Sequence, residues 1–276
     1  MRVRNRVGVL LLGSLLAGTP ALAEADAAEV RWERSLKTAL AASAASGRPV
    51  LVDVWAIWCV PCKKMDETTY RDPEVVRAAA NFVPVKVDHD VQELFVERHG
   101  IDALPLVLFL DAGGREISRI AGLLAAEELL QAMTAVQQGY AAYLAALELP
   151  SDPAAAQVIG SYLLAAGNPT RAAEALRRGL KDLGGPARQP LELRLAEALL
   201  AAEEFKPAAE TFARLASGGG DPELLGSALA GLVRAERGRG RTAAAGQALE
   251  RLRLEFPERA AAFDATPWPS PDGSQD

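Results

Sequence analysis

Along the first 140 positions the spacing of apolar residues switches back and forth between two periods. Residues 33–46 carry apolar side chains at helical intervals and stop at Gly47-Arg48-Pro49. The next seven, Val50-Leu51-Val52-Asp53-Val54-Trp55-Ala56, form a continuous apolar run broken by one acid, the pattern of a buried strand. Helical spacing resumes over 60–65, and Asp72-Pro73 breaks it before a second helical segment over 74–80. A strand over 82–87, a short helix over 91–98 and a strand over 106–110 follow. Asp111-Ala112-Gly113-Gly114 has hairpin chemistry, so 115–120 is expected to pair antiparallel with the strand before it, and a helix over 125–136 closes the unit. The pattern predicts an α/β domain: a mixed central sheet flanked by helices, with a parallel core and an antiparallel hairpin at one end.

The period changes for good after position 150. Residues 151–265 are rich in alanine and leucine and show no strand alternation. They predict three helical hairpins: 153–166 with 170–183, 189–202 with 205–216, and 222–237 with 241–256. The pairs Ala172-Ala173, Ala208-Ala209 and Ala244-Ala245 recur at a spacing of 36, with Leu176, Phe212 and Ala248 four positions after the first of each. Together with Gly160 and Leu163 these positions resemble part of the tetratricopeptide pattern, which implies an all-α helical repeat domain whose shallow concave face suits a peptide, helix or protein. Residues 141–150 are expected to be a linker. Residues 266–276, with Pro267, Pro269 and Pro271, are expected to be a disordered tail.

Charge and the amino terminus bear on location and partners. Arg2, Arg4 and Arg6 precede an apolar run from Val7 to Ala17 and then Ala21-Leu22-Ala23, the layout of a signal peptide over 1–23 cleaved after Ala23. The expected product is an exported, soluble protein of a bacterial periplasm. The 276 residues carry a net charge of −6; cleavage would remove those three arginines and no acid, making it −9. Such a balance argues against nucleic acid as a partner. The remaining length suffices for two domains with their own cores.

Cys59 and Cys62 are the two cysteines of the chain. They sit where a strand hands over to a helix, so a sulfur lies beside unpaired backbone N–H groups and the positive end of the helix dipole, which favours thiolate. A static staple across so small a loop would add little stability, and in an oxidising compartment a lone CxxC argues for a working redox pair. A zinc site would need four ligands with only His89 and His99 to add, so neither metal nor cofactor is expected. His89 falls in a loop after a strand and His99 at a helix end before Gly100, which fits ordinary capping and surface roles. Trp32 and Trp55 read as packing residues.

Asp53, Trp58-Cys59-Val60-Pro61-Cys62-Lys63, Lys86 and Leu104-Pro105, in this order of elements, resemble the thioredoxin-fold oxidoreductases over residues 28–140. More narrowly, the stretches 66–75 and 82–88 are similar to the carboxy-terminal periplasmic domain of the DsbD thiol:disulfide interchange proteins. The resemblance implies an α/β thioredoxin fold and a role for each matching residue. Cys59, nearer the helix start and expected to be more exposed, would attack. Cys62 would resolve the mixed disulfide, leaving a Cys59–Cys62 disulfide. Asp53 would accept the proton of Cys62, Lys86 would offset the burial of Asp53, and Leu104-Pro105 would form a cis-proline loop. With Trp58 and Pro61 that loop would dock the substrate. Leu106 stands where thioredoxins often carry Thr, which leaves substrate preference open. The implied partners are protein disulfides or dithiols, a membrane electron donor of DsbD type, and a protein or peptide on the repeats. The implied activity is disulfide reduction; an oxidant or isomerase using the same pair, and a non-enzymatic repeat scaffold or holdase, stay open.

Overall fold

The computed structural model describes residues 29–218 and 221–264, so the signal-peptide and tail expectations lie outside the described residues. The first helix, α1 (Leu36–Ser46), is set by its cap: Ser35 Oγ accepts from Thr38 N, and Thr38 Oγ1 accepts from Ser35 N, each at 3.2 Å. Its start is three residues later than the apolar spacing suggested. Glu33 instead donates its N–H to Pro84 O at 2.7 Å and bridges to Val85 at the sheet edge. Gly47 ends α1 in the left-handed region at φ 67.

There follow β1 (Val50–Trp55), α2 (Val60–Glu67), a 3₁₀ turn (Thr69–Arg71) and α3 (Pro73–Ala79), whose N-cap Asp72 accepts from Glu74 N and Val75 N. Then come β2 (Val83–Asp88), α4 (Glu93–His99), β3 (Leu106–Leu110), β4 (Glu116–Ala121) and α5 (Ala126–Gln137). The strand order is β2-β1-β3-β4. β1 and β2 run parallel, joined through α2 and α3, while β3 is antiparallel to both β1 and β4. The sheet is mixed, as its pattern suggested, but its parallel part is a single pair rather than a core. Strand direction follows from how a connection crosses the sheet, and apolar spacing carries no record of that.

Alternation along β1 divides two functions between two faces. Val50, Val52 and Val54 pack with Ala39, Phe95 and Leu108 under α1 and α4. Leu51 turns the other way, to Met65, Tyr70, Phe109 and Met133. Asp53 shares that second face, and the β1/β2 register sets it opposite Lys86.

The second half is all helical: α6 (Tyr140–Ala146), α7 (Pro153–Ala165), α8 (Pro169–Leu180), α9 (Arg188–Ala201), α10 (Phe205–Ser217), α11 (Pro222–Gly238), α12 (Thr242–Glu255) and α13 (Pro257–Asp264). Consecutive helices from α7 to α13 pack against one another, and α9 also touches both α7 and α11. The turns within the three hairpins repeat one geometry. Gly167, Glu203 and Gly240 each take positive φ, and the next residue donates back five positions: Asn168 N to Leu163 O, Glu204 N to Leu199 O, Arg241 N to Glu236 O, at 2.7–2.9 Å. Close approach of helices also depends on glycine. A Cβ on Gly231 would lie 2.3 Å from the Phe212 ring, and one on Gly160 would lie 2.5 Å from Leu176.

The stretch expected as a linker carries α6, because tyrosines anchor it. Tyr140 and Tyr143 are buried, Tyr143 and Tyr162 stack with ring centroids 4.5 Å apart, and Tyr143 donates to Asp111 Oδ2 at 2.9 Å. Tyr162 donates to Val136 O at 2.6 Å, and the Arg171 guanidinium donates to Glu116 O on β4. One apolar cluster therefore runs from the sheet through α5 and α6 into the helical array. Among the described residues no helix is long and apolar enough to cross a membrane.

Candidate redox site

β1 ends at Trp55, and four residues later Cys59 is the N-cap of α2, its Sγ accepting from Cys62 N at 3.2 Å. Pro61 opens the helix, where its missing N–H costs nothing. Cys59 and Cys62 form a disulfide with Cα atoms 5.3 Å apart. The difference in exposure expected between them is absent: Cys59 is 3% and Cys62 2% exposed. The bond draws both sulfurs into one cluster with Ala56, against Trp55 and Leu104.

Exposed apolar side chains flank the cysteines in sequence and follow β2. Ile57, Trp58 and Val60 face solvent, and so do Val91 and Leu94 on the segment after β2. Trp58 is held in place: its Nε1 donates to Asp90 Oδ2 at 2.8 Å, and its ring meets that of His89 edge-on. Hydrogen bonds from His89 and Trp58 pull the Asp90 carboxyl below its ordinary range. The Leu104–Pro105 peptide is cis, Leu104 packs on the cysteine cluster, and Pro105 O accepts from Gly122 N at 2.9 Å.

A charged cluster is tied to the pair through Trp55, which packs on the cysteines and lies by Lys86. Asp53 is 1% exposed; its Oδ2 accepts from Lys86 Nζ at 2.5 Å and its Oδ1 from the Tyr70 hydroxyl at 3.0 Å. Lys86 also donates to Asp66 Oδ1 at 2.6 Å, so one ammonium serves two carboxylates. Three rings surround that ammonium, with centroids of Trp32, Tyr70 and Trp55 at 4.8, 5.3 and 5.9 Å. Burial pushes the Asp53 carboxyl above its ordinary value, outweighing the opposite pull of Lys86 and of Tyr70. Burial, reinforced by the charge of Asp53, also holds the Tyr70 phenol well above its ordinary value. Trp32, read from sequence as packing only, closes one side of this cluster.

Three of these partners have weak sequence signals. Asp66 follows Cys62 by four positions, which puts both on one helix face, so helical periodicity could have found it. Tyr70, in a 3₁₀ turn, and Asp90, in a loop, lie outside any periodic segment. His99 is bound elsewhere, its ring tilted against that of Phe95 and its Nδ1 3.4 Å from Glu116 Oε2. Burial acts to raise Glu116, but hydrogen bonds from Arg119 and His99 outweigh it and bring its carboxyl down to about 2. Among the described residues no group of three or more His, Cys, Asp or Glu is placed to hold a metal ion.

A family model described as thioredoxin-like matches residues 31–112. The chain is 40% identical over 93 residues to a thiol:disulfide interchange protein DsbD of Pseudoalteromonas atlantica, which covers 32% of this chain and 16% of that protein. It is 36% identical over 89 residues to the DsbD of Escherichia coli K12, covering 30% of this chain and again 16% of the relative. The chain thus spans a small part of the length of the curated relatives it matches. Among solved structures, a thioredoxin from Thermus thermophilus shares 29% identity, covering 39% of this chain and 87% of that one, with a TM-score of 0.36. The carboxy-terminal domain of Neisseria meningitidis DsbD in its reduced form shares 26%, covering 36% and 91%, with a TM-score of 0.32.

Proposed function

From a thioredoxin-like domain over residues 31–112 that carries a Cys59–Cys62 disulfide, we propose that the chain is a thiol:disulfide oxidoreductase that reduces protein disulfides in a bacterial periplasm. The observation that carries this reading is a disulfide at the start of α2, the helix whose Asp66 shares the Lys86 ammonium with the buried carboxylate of Asp53. In the reduced protein Cys59 acts as the thiolate and attacks a partner disulfide. One partner sulfur leaves as a thiolate, and the other is joined to Cys59. Cys62 then gives its proton to Asp53 and attacks the Cys59 sulfur. The partner departs with both sulfurs reduced, and the pair has supplied two electrons and closed its own disulfide. Lys86 keeps Asp53 ionised enough to take that proton. Trp58, Pro61, Leu104 and Pro105 form the docking edge, where extended backbone of the client lies beside the cis-proline loop.

Re-reduction of the pair needs an outside dithiol, for which a membrane donor of DsbD type is the partner of choice. The helices of 151–265 act as tetratricopeptide-like repeats that recruit or orient a protein; the recurring left-handed turns at 167, 203 and 240 support that architecture. The same reading places a signal peptide at 1–23, a thioredoxin-like unit at 28–140 and a tail at 266–276.

Insulin-disulfide reduction by the purified protein tests the activity. Cys59→Ser is expected to bring turnover to the uncatalysed background, and retained turnover would remove Cys59 as nucleophile. Equilibration with dithiothreitol or glutathione buffers tests direction. A reduction potential near about −270 mV supports a reductant, while one near about −120 mV would assign an oxidant instead. Cys62→Ser is expected to stall a mixed disulfide on Cys59, and absence of any adduct in the native compartment would favour a scaffold that does no exchange.

A further inference from the structure

We infer that Tyr70 is a positioning residue for the proton step, its phenol fixing and holding ionised the Asp53 carboxylate that takes the proton of Cys62. The inference rests on the oxidoreductase reading above and deepens it. Its starting point is how the two oxygens of Asp53 are held. Lys86 takes Oδ2 and Tyr70 takes Oδ1, so the carboxylate is gripped from both sides and cannot rotate freely. Lys86 alone is an incomplete counterweight, because its ammonium is shared with Asp66 at nearly the same distance. A second donor is therefore needed to keep a carboxylate this deeply buried in its charged form.

Tyr70 is built to be that donor. It is 2% exposed, so its hydroxyl must find a protein partner. Its surroundings hold this turn from two other parts of the chain. Val30 N donates to Tyr70 O at 3.3 Å, and Thr69 Oγ1 in the same turn donates to Leu124 O at 2.6 Å. The Trp32 ring meets the Tyr70 ring edge-on at 4.9 Å. A ring wanted only for packing would have no use for the oxygen, and Phe would fill the same space. The phenol also keeps its proton across the working pH range, because burial and the adjacent negative charge both oppose its ionisation. It can thus donate to Asp53 and does not compete for the proton of Cys62.

Tyr70→Phe tests this with the ring retained. Donation favours the charged carboxylate, so its loss raises the Asp53 pKa. The acid limb of insulin-reduction turnover is expected to move to higher pH by about one unit or more. Titration of the Asp53 carboxyl carbon by NMR, in the oxidised protein where no turnover occurs, is expected to move the same way. In an Asp53→Asn background the limb should be absent and Tyr70→Phe should shift nothing further. Should Tyr70→Phe not fold, 3-fluorotyrosine installed at position 70 donates more strongly, and the limb and the carboxyl titration should move to lower pH. An acid limb and an Asp53 titration that both stay in place would overturn the role of Tyr70. Turnover that survives Cys59→Ser would instead overturn the parent reading, while the NMR titration would still report on Tyr70 and Asp53.

Discussion

Both halves of the molecule bury an acid, and they compensate for it to different degrees. In the sheet, Asp53 meets one ammonium that it shares with Asp66, plus a neutral phenol. In the helical array, Glu192 is nearly as buried but meets two guanidinium groups of its own: Arg188 Nε at 2.6 Å on Oε1 and Arg214 Nη1 at 2.5 Å on Oε2. Arg188 continues to Leu180 O and Leu183 O, which ties the end of α8 to α9, while Arg214 ties α10 to α9. Glu192 is a clamp between helices. Burial raises the Asp53 pKa, and the one ammonium beside it, divided with Asp66, does not cancel that rise. The two carboxylates are buried alike and differ in how completely their charge is compensated.

The sharpest way to break this contrast is at the seam, since the two halves share one apolar cluster. Tyr143→Ala removes a fully buried ring, its stack on Tyr162 and its bond to Asp111. A loss of about 3–5 kcal/mol is expected in urea unfolding, with both halves melting in one transition. Two separate transitions would mean that the seam does not couple them. Next in size is Gly231→Ala, whose added Cβ would meet the Phe212 ring at 2.3 Å. Overpacking there should cost about 1–3 kcal/mol in thermal melts while leaving the reduction potential of the cysteine pair unchanged.

pH separates two acids within the sheet domain itself. The folded pKa of Asp53 is raised, so its favourable contribution is present below its ordinary value of 3.8 and is lost as pH rises through the folded value. Glu116 has the opposite sign: its contribution is present above its ordinary 4.5 and is lost as pH falls toward about 2. Stability of Asp53→Asn relative to the parent protein should therefore improve from pH 4 toward neutrality. Glu116→Gln should be most harmful above about pH 5 and nearly neutral in strong acid. Melting curves at several pH values read both, and slopes of equal sign would contradict the assignment. The smallest expected effect is in a helical turn. Glu203 occupies at φ 59 the place that glycine takes in the other two hairpins, and Glu203→Gly should raise stability by about 0.5–1 kcal/mol in denaturant unfolding.

Local pattern carried much of the fold. The strand at 50–55 is a run of apolar residues preceded by Gly47-Arg48-Pro49, and the hairpin helices of the second half are marked off by Gly, Pro or Asn except at the 202–204 turn. The segment at 141–150 was misleading for a definite reason. α6 is short and its apolar face is turned to a seam between halves, so neither its length nor its composition marks it as core. The site was legible as far as its residues sit in regular elements: Asp53 on β1, Lys86 on β2, Cys59 and Cys62 at the start of α2. Tyr70, Asp90 and Trp32 were not, because each acts from an irregular segment on a partner far away in sequence.

By itself the sequence determined the chemistry available: two thiols three positions apart at a strand-to-helix junction, with an acid in the strand before them. Covalent spacing and helical geometry act over a few residues and leave no freedom there. Only the tertiary structure decided how that chemistry is tuned. The direction of β3, the sharing of Lys86 between Asp53 and Asp66 and the grip of Tyr70 on Asp53 all depend on contacts between residues 17 or more positions apart. Which of many possible long-range neighbours a residue meets is settled by packing the whole chain, and that selection decides how fully a buried carboxylate is compensated.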